Sequence, residues 1–275
     1  MGGRNGVTDA LCCPVCHATA KIRFSLGRRH FHTCTNDQCG LIFVSPQPSD
    51  EELQEYYTED YFDPSTAAYA LAQGAVQRQI IEHLLGQTTD HQPTVLDYGC
   101  AKGGLWEILP DDPKGRYFGI EPDATARTDA GERTQRSIFP SIDAFIADAG
   151  VKWDICVMND VIEHIRQPVA ELAKLARAGS PAGVLWVATP NAGSIKCWLL
   201  GRWWSQYRNR THLSIFRYAS CAQCLSAAGF VGIERPKFRL MYEDVGGLRS
   251  LLQIVTRRLG IDGNLTVTAR VPRGQ

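Results

Sequence analysis

The apolar positions of this chain fall into two regimes. From Thr94 onward, short apolar runs alternate with longer stretches in which apolar residues recur every three or four positions. The runs read as buried strands and the periodic stretches as helices laid across them. Strands are predicted at Thr94–Tyr98, Arg116–Glu121, near Gln135–Phe139, and at Trp153–Met158, Gly183–Ala188, Val231–Phe238 and Leu265–Val271. Pro168 opens a helix, Val169–Ala178, that Gly179 and Pro181 stop, and the helix Ala219–Ala228 ends at Gly229. Ahead of the first strand, Val76, Ile80 and Leu84, with Ile81 and Leu85 beside them, make one apolar helix face that ends at Gly86. Alternating strands and helices joined by short loops predict an α/β, parallel, doubly wound sheet over residues 93–275.

The first 48 residues follow a different pattern. Lys21–Phe24, Arg29–Thr33 and Leu41–Val44 look like three short strands, too few to enclose a core. Cysteine changes the picture, because five of the ten fall within the first 39 residues. Cys13-Pro14-Val15-Cys16 and Cys34 to Cys39 form two paired-thiol knuckles separated by 17 residues. Four thiolates at about 2.3 Å from one ion satisfy tetrahedral zinc. Cys13, Cys16, Cys34 and Cys39 are therefore the candidate ligands of a structural zinc, and residues 1–48 a small zinc ribbon. Cys12 offers a slipped pair with Cys16, although Pro14 suits the tighter knuckle, and His17, His30 and His32 are substitute ligands. Reduced, metal-free cysteines are the alternative. A module this small needs a metal merely to fold, so a scaffold is a simpler reading than a nucleic-acid binder.

Charge narrows the partners. Lys plus Arg and Asp plus Glu number 29 each, and the pI is about 7, so no overall field draws the chain to nucleic acid or an anionic membrane. No stretch is long and apolar enough to span a bilayer, and the N-terminus lacks the apolar core of a signal peptide, so a cytoplasmic location is expected. Ten cysteines in that setting argue for metal ligands and free thiols rather than disulfides.

The chemistry centres on Thr94–Leu109. Val95 and Leu96 deliver an acid, Asp97; Gly99, Gly103 and Gly104 then open a segment with helical spacing of Leu105, Ile108 and Leu109. Such a strand, glycine turn and helix also bind dinucleotides. A pyrophosphate would be repelled by Asp97, whereas the amino group of an amino-acid-bearing nucleoside would not, and Glu121 at the end of the next strand suits a ribose diol. Together these point to S-adenosylmethionine. At these residues the chain resembles the class I S-adenosylmethionine-dependent methyltransferases, whose turn is D-x-G-x-G-x-G. Asp97, Gly99 and Gly103 match it, and Ala101 replaces the middle glycine, a change tolerated if φ stays negative.

The resemblance implies a Rossmann-like sheet of seven strands with the last antiparallel. It also implies cofactor contacts from Asp97, Gly99, Cys100, Ala101, Gly103, Glu121, Pro122, Asn159, Asp160 and Tyr61. Bacterial members with an N-terminal zinc ribbon show C-G-L-x-F-x-x-P-x-P, here Cys39–Pro48, followed by an aromatic stretch, here Tyr56–Phe62. That stretch, within the segment 49–92 that links ribbon and sheet, is read as a lid. Asn159, Asp160, Glu163 and His164 follow the fourth strand, on the edge where open α/β sheets bind ligands.

An insertion at about 192–213 carries Trp198, Trp203, Trp204, Tyr207, Arg202, Arg208, Arg210 and His212, a composition suited less to a core than to a polar acceptor. A second, at about 241–262, covers the substrate edge or a neighbouring subunit, so a homo-oligomer is one outcome. His164 is the first candidate base and His212 the second. Glu163 is a candidate to orient the His164 ring, although neighbours in a helix do not face each other, which leaves another acid as the alternative partner. No metal cluster for this task is expected outside the ribbon. The reading is methyl transfer to a small molecule such as a sugar, nucleotide-sugar or other secondary metabolite. The rivals are a ribbon-guided nucleic-acid methyltransferase and a non-catalytic S-adenosylmethionine-binding protein.

Overall fold

A computed structural model describes residues 11–53, 55, 79–86, 92–108, 116–236 and 261–274. Its larger sheet contains β4 (Thr94–Tyr98), β5 (Arg116–Ile120), β6 (Ile138–Phe139), β7 (Trp153–Asn159), β8 (Gly179–Pro190), β10 (Val231–Glu234) and β11 (Asn264–Arg270). The strand order is β10-β11-β8-β7-β4-β5-β6. Strands β4 to β8 run parallel, and β11 is antiparallel to both of its neighbours. This is the doubly wound sheet of seven strands expected from the pattern. Among the boundaries that move, β8 begins at Gly179, where the sequence suggested only the end of a helix, and β10 stops at Glu234.

Parallel strands buried on both faces read as continuous apolar runs, and β7 shows why. Its Cys156 and Met158 join Leu96, Tyr98, Leu172 and Leu175 on one face, while Ile155 and Val157 join Val95, Tyr117, Trp186 and the helical residues Ile80, Ile81 and Leu84 on the other. Fully burying each such side chain stabilises the fold by about 1.5–3 kcal/mol. Deleting one from the sheet centre, as in Leu96→Ala, would cost about 2–5 kcal/mol.

The ribbon strands β1 (Ala20–Leu26), β2 (Arg29–Cys34) and β3 (Ile42–Val44) form an antiparallel sheet that acquires a fourth strand, β9 (Ser214–Ile215), from the far end of the first insertion. Ile42 pairs with Ile215 and Phe43 with Ser214. Beneath this joint Phe31, Ile42 and Val44 pack on Cys197, Trp204, Tyr207 and Ile215. The expectation that the insertion is poor core material fails for Trp204 and Tyr207, which are almost fully buried; Tyr207 stands edge-on to both Phe24 and Phe31. The apolar side of the ribbon needed a cover, and the insertion supplies it. The other side, including Leu41 and Phe43, is continuous with the main core through Phe216, Cys221 and Cys224. Those two cysteines are packing thiols, fully buried on the helix Tyr218–Ala227.

Candidate functional site

The turn after β4 is built by backbone conformation. Gly99 has φ +78°, and a Cβ there would lie 2.4 Å from Val161 Cγ2, so the position excludes any side chain. Ala101 does not keep the negative φ expected of it: its φ is +46°, in the left-handed region, beside Gly103 at +79°. The turn is thus held against a strain that glycine would avoid. Glu121 shows what holds it. Its Oε2 accepts a hydrogen bond from Ala101 N at 2.9 Å and its Oε1 one from Asp123 N at 2.9 Å. Burial raises the Glu121 carboxyl above the usual carboxylate range against these two bonds.

Asp97 lies beneath the turn, 7% exposed, and accepts a 2.5 Å hydrogen bond from Tyr117 Oη. Burial, opposed by that bond and reinforced by the negative charge of Glu121, pushes its pKa up to about 7. Cys100 is buried, and Pro122 leads to Asp123, which caps the helix Ala124–Thr134 through Ala126 N. Asn159 ends β7, and Asp160 turns the chain out of the sheet with φ +52° while its N–H donates to Ala188 O. All these residues gather at the carboxyl ends of β4, β5 and β7. Tyr61, the aromatic stretch Tyr56–Phe62 and residues 241–260 lie outside the described residues.

The next turn, Ile162–His164, is a single 3-10 turn that sends its side chains in different directions. Glu163 is fully buried; its Oε2 accepts a 2.8 Å hydrogen bond from Thr189 Oγ1 at the end of β8, and its Oε1 stands 4.0 Å from His212 Nε2. His164 Nδ1 donates to the Thr211 carbonyl at 3.1 Å, which leaves Nε2 with its lone pair. The orienting partner of His164 is therefore a carbonyl of the insertion, neither Glu163 nor another acid. The two imidazoles meet edge to face with ring centres 4.8 Å apart. Burial lowers His164 to about 4, and burial with the charges of His164 and Arg29 lowers His212 to about 3, so both rings are neutral at ordinary pH. Burial, with the charge of Asp160, raises Glu163 to about 8.

One donor atom from each of Glu163, His164 and His212 lies within 4.8 Å of the others. The expectation that no such cluster exists outside the ribbon is overturned. The sequence could not show it, because His212 is 48 positions from His164 and is brought back by tertiary structure alone.

That structure includes the ribbon. Arg29, on β2, donates to the carbonyls of Tyr207 at 3.1 Å, Asn209 at 2.8 Å and His212 at 2.6 Å, so the ribbon grips the loop that carries His212. In return Arg217, beyond β9, donates to the carbonyls of Asp37 and, at 2.9 Å, Cys39 within the second knuckle. In the sequence neither Arg29 nor Arg217 carries a mark of this role. Only the strand pairing gives them their roles.

In the ribbon, the Sγ atoms of Cys13, Cys16, Cys34 and Cys39 lie within 4.8 Å of one another, Cys13 and Cys39 at 3.8 Å and Cys16 and Cys34 at 3.3 Å. Sulfurs around a tetrahedral zinc stand about 3.8 Å apart, given Zn–S bonds near 2.3 Å, so this donor set fits that ion. Cys12 is exposed and outside the group.

A sheet with this order, a glycine turn after its central strand and an acid ending the next is the nucleoside-binding frame of a methyltransferase. A methyltransferase-domain family matches residues 67–235, and the chain belongs to that family. The match leaves the ribbon outside. Among proteins similar to it, the malonyl-[acyl-carrier protein] O-methyltransferase of Serratia marcescens is 29% identical over 160 residues, covering 56% of this chain and 60% of that protein. The ubiquinone biosynthesis O-methyltransferase of Sinorhizobium medicae (strain WSM419) is 27% identical over 143 residues, covering 47% and 53%. The chain thus spans between half and two thirds of the length of these relatives. The plantazolicin methyltransferase BamL, solved with a triazolic desmethylPZN analog and SAH, shares the fold with a TM-score of 0.58 at 13% identity, over 80% of this chain and 94% of that one.

Proposed function

We propose that this chain transfers the methyl group of S-adenosylmethionine to a hydroxyl or carbon of a small-molecule acceptor, a sugar, nucleotide-sugar or other secondary metabolite. The observation that carries the reading is one sheet edge holding both halves of such a site. The Asp97–Gly103 turn with Glu121 lies at the ends of β4 and β5, and the Glu163–His164–His212 group lies at the ends of β7 and β8. Asp97 takes the methionine end, and Glu121, each of whose oxygens keeps a lone pair beyond its backbone bond, takes the ribose diol. Asn159, Asp160, Cys100, Ala101 and Pro122 border the same cofactor.

The sulfonium arrives already activated, so the protein's work is alignment of the acceptor for in-line attack and acceptance of its proton. His164, its ring neutral and oriented by the Thr211 carbonyl, is the first candidate for that proton; His212 is the second. Zinc on the four ribbon cysteines supports the strands that carry Arg29. The O-methyltransferase relatives support oxygen as the acceptor atom, and the balanced charge speaks against nucleic acid. None of the ten cysteines is in a disulfide, in keeping with a reducing, cytoplasmic setting, and among the described residues no helix is long and apolar enough to cross a membrane. Calorimetric titration with S-adenosylmethionine, followed by S-adenosylhomocysteine release against a panel of hydroxylated metabolites, tests the reading; a chain that binds no cofactor refutes it.

A further inference from the structure

We infer that Glu163, His164 and His212 form a second metal site, for a divalent first-row transition ion such as zinc, that binds the acceptor's hydroxyl. The inference deepens the methyltransferase reading and rests on it for the identity of the acceptor.

Three observations converge. The first is the donor set: two imidazole nitrogens and one carboxylate oxygen within 4.8 Å of one another, the composition that holds catalytic zinc with positions left open. Ligands around one such ion, at bond lengths near 2.1 Å, stand about 3.4 Å apart, so side-chain shifts of under roughly 1 Å close the site.

The second is a buried oxygen without a partner. Glu163 Oε1 has no hydrogen bond, and it faces His212 Nε2 at 4.0 Å, beyond hydrogen-bond reach but suited to a shared cation. Glu163 is 0% exposed and His212 4%, so water does not easily satisfy that oxygen from bulk.

The third is the outer layer. Histidines that ligate metals usually donate their other ring N–H to a carbonyl, and ligating carboxylates are themselves hydrogen-bonded. His164 donates Nδ1–H to Thr211 O, and Glu163 Oε2 accepts from Thr189. Arg29 fixes the His212 backbone from behind by donating to the carbonyls of Tyr207, Asn209 and His212. His164 is the least buried of the three and marks the side from which an acceptor reaches the ion.

In the step this assigns, the acceptor's hydroxyl oxygen coordinates the ion and its O–H bond breaks, the proton passing to solvent rather than to His164 or His212, whose ring nitrogens are then ligands. The bound alkoxide then forms the O–CH3 bond as the CH3–S bond of the sulfonium breaks, giving the methyl ether and S-adenosylhomocysteine. No oxidant or reductant is needed.

The test is metal stoichiometry on the full chain, after incubation with excess Zn2+ and gel filtration. Two equivalents are expected in the wild type. Glu163→Gln and His212→Ala should each bind the second ion more than tenfold more weakly and keep the first, whereas Cys34→Ser should lose the first and, because the ribbon holds the His212 loop, weaken the second as well. Loading with Co2+ reads the sites separately: the ribbon gives thiolate charge-transfer bands, and the second site gives weak visible bands alone, lost in Glu163→Gln. A wild type that holds one equivalent, or variants that both keep two, overturns the inference, and the wild-type result stands even if a variant fails to fold. Calorimetry with S-adenosylmethionine on the same samples separates the two ideas. Cofactor binding with one metal sinks the metal site alone, and two metals without cofactor binding sinks methyl transfer.

Discussion

The two ends of the site are made in opposite ways. On the proposed cofactor side, Asp97, Gly99, Ala101 and Gly103 lie within seven residues, and the acid that braces the turn, Glu121, directly follows the adjacent strand. On the proposed acceptor side, Glu163 and His164 come from the 3-10 turn after β7, Thr189 from β8, His212 from an insertion, and Arg29 from a separate ribbon. A local motif is fixed by the φ values of a few residues; a dispersed one depends on every joint between its parts. The cofactor half should therefore survive damage to the ribbon, and the acceptor half should not.

The largest expected effect follows directly. Cys34→Ser, or removal of the ribbon metal by a chelator, should release β1–β3 and with them the pairing of β3 with β9 and the Arg29 contacts to the His212 loop. Turnover should fall by more than about 100-fold while S-adenosylmethionine affinity changes by less than about threefold, within the spread of distant, weakly coupled sites. Equal losses in both would break the comparison, since the two halves would then be one cooperative unit. Arg29→Ala is the gentler form, since three carbonyl contacts vanish but the metal stays. A net loss of about 1.5–3 kcal/mol for hydrogen bonds from a charged group predicts a roughly ten- to hundredfold fall in kcat with the KM for S-adenosylmethionine unmoved.

On the cofactor side, Glu121→Ala should weaken S-adenosylmethionine by about 1.5–3 kcal/mol, or ten- to hundredfold, because it removes both the proposed diol contact and the brace on Ala101 N. Wild-type affinity in titration calorimetry would remove Glu121 from the site.

This contrast also governs what was legible in the sequence. Runs such as Trp153–Met158 announced buried parallel strands, and the spacing Cys13, Cys16, Cys34, Cys39 announced a ribbon, because both signals are local. The aromatic insertion was misjudged for the same reason: Trp204 and Tyr207 look exposed until Phe24 and Phe31 are known to lie over them. Glu163 was read as the poor partner of an adjacent histidine, because a 3-10 turn, which separates neighbouring side chains differently from an α-helix, leaves no mark in the sequence.

A smaller effect tests the electrostatics of the local half. Asp97 has a folded pKa of about 7 against 3.8 unperturbed, so its contribution to apo stability is present in full below the unfolded value and is lost as pH rises through 7. A cationic cofactor favours the ionised acid. Binding near neutral pH should therefore release up to one proton, and affinity should fall up to tenfold per pH unit below 7. Calorimetry in buffers of different ionisation enthalpy reads the proton, and Asp97→Asn should abolish it. A binding enthalpy independent of buffer would place the cofactor's cation elsewhere.

The smallest effect concerns Ala101, where the local half carries a cost of its own. An alanine at φ +46° is strained by about 1–2 kcal/mol relative to glycine. Glycine in turn gives the unfolded chain more freedom, worth about 0.4–1 kcal/mol against the folded state. Strain relief exceeds that loss, so Ala101→Gly should stabilise the apo chain by about 0.5–1 kcal/mol, roughly 1–4 °C in Tm for a domain of this size. The backbone N–H that donates to Glu121 Oε2 is kept, so cofactor affinity should not fall. A lower Tm would show that the left-handed turn is not strained at Ala101, and the methyl group there would have to be contributing contacts of its own.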